Sequence, residues 1–195
     1  MIHNYNPSDI GYKTNGIYGF PFDYNNSKLI ILPVEWDVTC SYKDGTSNAP
    51  EKIKEASFQL DIYNEIYGNI WEQGIYLLNK NEDIIKKNKK QRNIARSYIK
   101  RIENNDKDII LDKLREEINE GSKYLNKYVY NKSKKILAEN KILGILGGEH
   151  SVNYGLIKAL SEKYKSFSII HIDAHADLRK EYMGLTYSHA STIYN

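Results

Sequence analysis

The sequence predicts an α/β fold, a parallel sheet flanked by helices, in a single domain spanning residues 1–195. Three observations predict it. Two short apolar runs, Ile142 to Leu146 and Phe167 to Ile172, each lead straight into a polar cluster. Between them Leu156, Ala159 and Leu160 fall at helical spacing. Strand, helix and strand within about 30 residues make a βαβ unit, with parallel strands and a right-handed crossover.

The preceding elements follow in order. Residues 1–27 are rich in Asn, Gly, Pro and Tyr and read as a loosely structured polar leader. Lys28 to Val34 is the first strand expectation. Ser41 to Ala49 is loop chemistry, with Asp44-Gly45 as its turn signal. Pro50 suits a first helical turn, and Ile53, Ala56, Leu60 and Tyr63 follow at helical spacing. Ile70 to Leu78 reads as a second strand. Residues 82–140 form a charged helical segment without proline, read as two helices broken near Asn104-Asn105. Ile94, Tyr98 and Ile102, then Ile110, Leu114 and Ile118, then Leu125, Tyr128 and Val129, mark its apolar face. The basic run Lys86 to Arg101 reads as a solvated helix face.

Composition bounds the function. A chain of 195 residues, 41% hydrophobic and 27% charged, can bury one real core. A net charge of +3 is too small to imply a nucleic-acid or membrane partner. Cys40 is the single cysteine, so no intrachain disulfide forms, and a reducing compartment is expected. Met1 to Ile10 lacks the basic and apolar regions of a signal peptide, and no run approaches the ~18 apolar residues of a membrane span. The expectation is a soluble, cytoplasmic protein. No internal repeat is visible.

The chemistry lies in the last third. Four of the five histidines, His150, His171, His175 and His189, are there. Gly147-Gly148-Glu149-His150-Ser151 and Asp173-Ala174-His175-Ala176-Asp177 each follow an apolar strand, and strand ends of a parallel sheet are where ligands bind. Asp173, His175 and Asp177 stand at i, i+2 and i+4, so extended backbone would turn them to one face. Two carboxylates and an imidazole on one face repel or strand one another unless a divalent cation joins them. Mixed oxygen and nitrogen donors suit Mn²⁺, with Zn²⁺, Fe²⁺ or Co²⁺ as alternatives. The glycine pair allows a tight turn and close backbone approach. His171 reads as a buried, hydrogen-bonded residue behind the ligands, and Ser151 as a helix cap.

These two motifs resemble the first two signatures of the ureohydrolases: arginase, agmatinase and formimidoylglutamase. The stretch from Asp44-Gly45 to Ser57 resembles the family's segment before its first helix. Leu178-Arg179 and Ser188-His189-Ala190-Ser191 look like the agmatinase branch. The resemblance implies an arginase/deacetylase-type three-layer fold, and two Mn²⁺ ions per complete site. His150, Asp173 and Asp177 would hold one ion. His175 and Asp173 would hold the other, Asp173 bridging, and His189 would shuttle protons. The implied reaction is hydrolysis of a small guanidino substrate, agmatine to putrescine and urea, which belongs to polyamine metabolism. Arginase or formimidoylglutamase activity is the alternative within the class, and a homo-oligomer stays open. The lysine deacetylases share the architecture, but their His-His pair is not found.

The departure from the pattern is equally informative. The family's third motif, Ser-x-Asp-x-Asp-x-x-Asp-Pro, and a later glutamate that grips the guanidinium do not occur before Asn195. Asp106-Lys107-Asp108 has the Asp-x-Asp spacing but no preceding strand. The expectation is a chain lacking the C-terminal part of the fold, whose other reading is a catalytically inactive truncated remnant.

Overall fold

The computed structural model describes residues 16–60, 62 and 64–195. β1 (Leu29–Val34) is the middle strand of a three-stranded parallel sheet, flanked by β2 (Ile75–Leu77) and β3 (Ile142–Gly147). Alternation sets its faces: Ile30, Leu32 and Val34 are buried while Leu29 and Ile31 are half-covered. The second strand is shorter than the sequence predicts. Residues 70–73 wind into a 3₁₀ turn, and Gly74, at φ 76°, must turn the chain before pairing can begin. A β-carbon at Gly74 would collide with the Asn26 carbonyl, so glycine is required there.

Helices cover the sheet. α1 (Ala49–Ser57) begins with Pro50 in its first turn. Its predicted apolar face is not the buried one: Ile53 and Leu60 are exposed, and Pro50 and Ser57 carry the contact. Tyr63 of that face lies outside the described residues. α2 (Glu82–Glu103) and α3 (Ile109–Ala138) are the two expected long helices. Asn81 caps α2 by accepting from the amides of Asp83 and Ile84, and Asp108 caps α3 by accepting from Ile110. Between them Asn105 adopts left-handed backbone, φ 58°, which Asn tolerates better than most residues. α4 (Tyr154–Lys163) packs on α3, where Gly155 lets the two backbones approach closely.

The core joins Leu32, Val34, Trp36 and Val38 of β1 and its extension to Ile84, Ala95, Tyr98, Ile118, Leu125 and Val129 of the long helices. Each buried Leu, Val or Ile among them contributes about 1.5–3 kcal/mol. The predicted helical stripe is therefore largely the core face, with Ile110 an exposed exception. Arg92 departs from the solvated basic run: it is buried and donates to the Val38 and Cys40 carbonyls, pinning the chain beyond β1. The described part of the leader is also anchored, with Ile17 and Phe20 buried and Phe20 stacked on Trp71.

One element differs outright. Residues 167–172 form no ladder, and Ile170 and Ile172 are 89% and 94% exposed. A strand exists only when a neighbour lies about 4.8 Å away. β3 closes the sheet on β1 and is its edge strand, and no backbone of 167–172 comes alongside. The parallel pairing is thus β1 with β2 and β3, and the βαβ unit predicted around α4 is not completed. Among the described residues no helix is long and apolar enough to cross a membrane.

Candidate metal centre

The site begins where β3 ends. The Gly148 amide donates to Val34 O at 3.2 Å, and the Glu149 amide to Trp36 O at 2.8 Å, so the turn lies flat against the extension of β1. A side chain at Gly148 would overlap the Trp36 carbonyl oxygen. This approach turns Glu149 inward. Its carboxylate is buried and accepts from the Thr39 amide (3.1 Å), the Thr39 hydroxyl (2.7 Å) and the Ser151 hydroxyl (2.9 Å). Burial pushes the Glu149 carboxyl above its ordinary range, and those bonds together with nearby His189 act against the rise. Ser151 therefore serves Glu149 and caps no helix, unlike its sequence reading.

His150 points the other way, into the second motif. Its Nδ1 lies 2.5 Å from Asp177 Oδ2 and 3.6 Å from Asp173 Oδ2. The second motif is not extended. Asp173 Oδ1 accepts the His175 amide at 3.0 Å, a local turn, and Asp177 is left-handed at φ 49°. A non-glycine residue in that region is uncommon and concentrates at functional sites. The turn breaks the predicted alternation. Asp173 and Asp177 face His150, whereas the His175 side chain is 84% exposed, its Nδ1 4.0 Å from Asp173 Oδ1. The His175 amide holds the Asp173 carboxyl below the usual range, against some desolvation, with His150, His171 and His175 adding to the effect.

His171 takes a place the sequence did not give it. Its ring stacks on His150, centroids 5.0 Å apart, and Nε2 sits 3.6 Å from Asp173 Oδ2. That Nε2 is buried and has no hydrogen-bond partner. The signal was available: His171 stands two residues before Asp173 and shares its parity. His150, His171, Asp173 and Asp177 each offer a donor atom, and all four atoms lie within 4.8 Å of one another. Two imidazoles, one with an orphaned ring nitrogen, and two carboxylates form a donor set that a divalent transition metal fits.

His189 approaches from a 3₁₀ turn, His189–Ser191. Its amide donates to Thr39 Oγ1 at 3.0 Å, while Nδ1 is 3.3 Å from the same oxygen and 4.0 Å from Glu149 Oε2. Together with Asp177, His175, Tyr182 and Arg179 it lines a cleft of about 660 Å³ beside the metal group. Thr39 and Glu149, which hold His189, were missed from sequence because Thr39 belongs to no motif and Glu149 carried no role. Asp37 was missed likewise. It is buried and orders the loop after β1 by accepting from Gly45 and Ser47.

Residues 27–195 match the model of the arginase family. An agmatinase of Halalkalibacterium halodurans is 29% identical over 88% of this chain and 48% of its own length. An N(1)-aminopropylagmatine ureohydrolase of Thermus thermophilus is 29% identical, over 88% of this chain and 47% of its own. The crystal structure of the agmatine ureohydrolase of Thermoplasma volcanium aligns with a TM-score of 0.66 at 24% identity, covering 94% of this chain and 50% of that one. At that identity the alignment speaks for the fold. The chain spans about half the length of the curated relatives it matches.

Proposed function

The chain belongs to the arginase family, and from that premise we propose that it contributes to a manganese centre that hydrolyses a guanidino C–N bond. Agmatine, cleaved to putrescine and urea, is the first substrate to test. The observation that carries the reading is the convergence of His150, Asp173 and Asp177 at the end of β3. The names of the relatives support the class of reaction, and they divide between agmatine and its aminopropyl derivative.

In this reading His150, Asp173 and Asp177 hold one Mn²⁺, and Asp173 with His175 holds the second. Paired Mn²⁺ ions supply Lewis acidity and bring a water's pKa towards neutrality. The chain's own groups do the rest. Buried Glu149 and Thr39 fix His189 through its amide and Nδ1, which leaves Nε2 to carry a proton to the departing amine. Cleft residues Tyr182 and Arg179 border the space beside it. A second reading places His171 in the first metal shell instead of behind it, favoured by its unpartnered Nε2.

Manganese titration of the purified 195-residue chain, followed by calorimetry, is the test. One bound ion is expected, and Asp173→Ala should abolish it. Absence of Mn²⁺ binding by the wild-type chain would sink the metal reading. Urea release from agmatine, arginine and aminopropylagmatine then ranks the substrates. Little or no turnover is expected from this chain alone, since four converging donors fall short of two filled Mn²⁺ shells.

A further inference from the structure

Away from the metal centre, a buried carboxylate lacks a counterpart. Glu35 directly follows β1 and is 8% exposed, and its Oε2 is sealed from solvent with no hydrogen-bond partner. It lines a cavity of about 360 Å³ beyond the carboxyl ends of β1 and β2, the side of a parallel sheet where ligands bind. Glu51 and Lys54 of α1, with Lys80 and Glu82 at the start of α2, line the same space. None of these residues belongs to the metal group.

An ionised carboxylate withdrawn from water is costly unless a cation or a set of donors completes it. Lys80 does not complete Glu35: it pairs with Glu82, at 3.8 Å. Burial pushes the Glu35 carboxyl above its ordinary range, and Glu51 and Glu82 add to this while its own backbone amide and Lys80 oppose it. A cation entering the cavity would offset the burial of Glu35 and its repulsion by Glu51 and Glu82. A bare metal ion fits poorly, because among the described residues only the His150 group brings three or more donors into convergence. The cavity is larger than an ion needs, and Pro33, Pro50 and Leu77 give it apolar wall.

We propose that this cavity binds a small alkylammonium ion, with the ammonium group on Glu35 and the alkyl chain against Pro33, Pro50 and Leu77. This assignment does not depend on the metal reading.

The test is a titration of the full chain with n-butylammonium and 1,4-diaminobutane, following backbone amide shifts by NMR. Saturable shifts at Glu35, Glu51 and Leu78 are expected. Affinity should fall at least tenfold in Glu35→Gln and several-fold in Glu51→Gln, which lies on an exposed helix face. Asp173→Asn should bind the amine as wild type does. n-Butanol, which keeps the chain and loses the charge, should not bind. No saturable shift, equal affinity in folded Glu35→Gln, or displacement of the amine by equimolar Mg²⁺ would each overturn the assignment. Were Glu35→Gln not to fold, unchanged affinity in Glu51→Gln would overturn it alone.

Discussion

His150 Nδ1 and Asp177 Oδ2 stand 2.5 Å apart although 27 residues separate them in sequence. The contact ties the end of β3 to a left-handed residue in an otherwise ladder-free stretch. Without a cation it is an imidazole–carboxylate pair. With one, both atoms become donors to the same ion, and binding should stabilise the fold. At Mn²⁺ a hundredfold above Kd the gain is about 2.7 kcal/mol, or roughly 5–10 °C in Tm for a chain of this size. Differential scanning calorimetry with and without Mn²⁺ reads it. An equal shift in Asp173→Ala would place the ion elsewhere.

His171 and His175 make the next prediction. His171→Ala should weaken Mn²⁺ binding by about 10–100-fold, whether it ligates or orients His150 across the stacked rings. His175→Ala should leave the first ion's affinity within about threefold, its side chain being 84% exposed. Calorimetric titration of both variants decides it. A larger loss in His175→Ala than in His171→Ala would restore the order read from the sequence.

Where these two side chains lie marks how far the sequence could be read. Apolar runs located β1 and β3, and the glycine pair located the turn bearing His150, because these depend on local composition and close backbone approach. The break near Asn105 was legible for the same reason, but the caps Asn81 and Asp108 were not, and Ser151, read as a cap, serves Glu149 instead. The orientation of His175 was not legible either. It follows from Asp173 accepting the His175 amide and from the left-handed Asp177, a turn that the Asp-x-His-x-Asp spacing resembles no more than it resembles a strand. Residues 167–172 have the composition of a strand and lack a neighbour, and pairing is a property of the partner, not of the run. Thr39, Asp37 and Arg92 act through contacts 50 or more residues distant, which no local pattern encodes.

Gly148 offers a test of the turn itself. A β-carbon there meets backbone, the Trp36 carbonyl, which cannot swing aside as a side-chain end would. Gly148→Ala should cost about 3 kcal/mol or more, above the usual overpacking range. Gly144→Ala in β3 is the control, because its β-carbon would touch only Ile31 and Leu29 side chains at 3.9 Å. Urea unfolding should show the first variant strongly destabilised and the second within about 1 kcal/mol of wild type. Equal midpoints would refute the packing argument.

Asp37 carries a pH prediction. Burial pushes its carboxyl up, but hydrogen bonds from Gly45, Asn88 and Ser47 outweigh burial and hold it below the usual range. A carboxyl depressed in the folded state stabilises above its unfolded pKa, about 3.9. That stability is lost as pH falls through the folded value. Asp37→Asn should therefore cost about 2–3 kcal/mol at pH 7, and the gap to wild type should close below about pH 4. A gap that is constant from pH 7 to pH 3 would mean that the carboxylate's charge contributes nothing.

The uncovered stretch 167–172 gives the last prediction. Ile170 and Ile172 are almost fully exposed beside half-exposed Ile169 and Phe167. An extended apolar run with free backbone donors and acceptors is a template for pairing with another chain. β3 presents a second free edge nearby, since β1 is its single ladder partner among the described residues. The isolated chain should self-associate with rising concentration. Ile170→Lys combined with Ile172→Lys should suppress this, because both side chains already face solvent and charge on an exposed edge opposes pairing. Folding should survive, for neither residue belongs to the core, and Mn²⁺ affinity should be retained because neither is a metal donor. Light scattering across a concentration series, read beside the Mn²⁺ titration, separates the outcomes. A double variant that still aggregates at the wild-type concentration would move the sticky surface away from this segment.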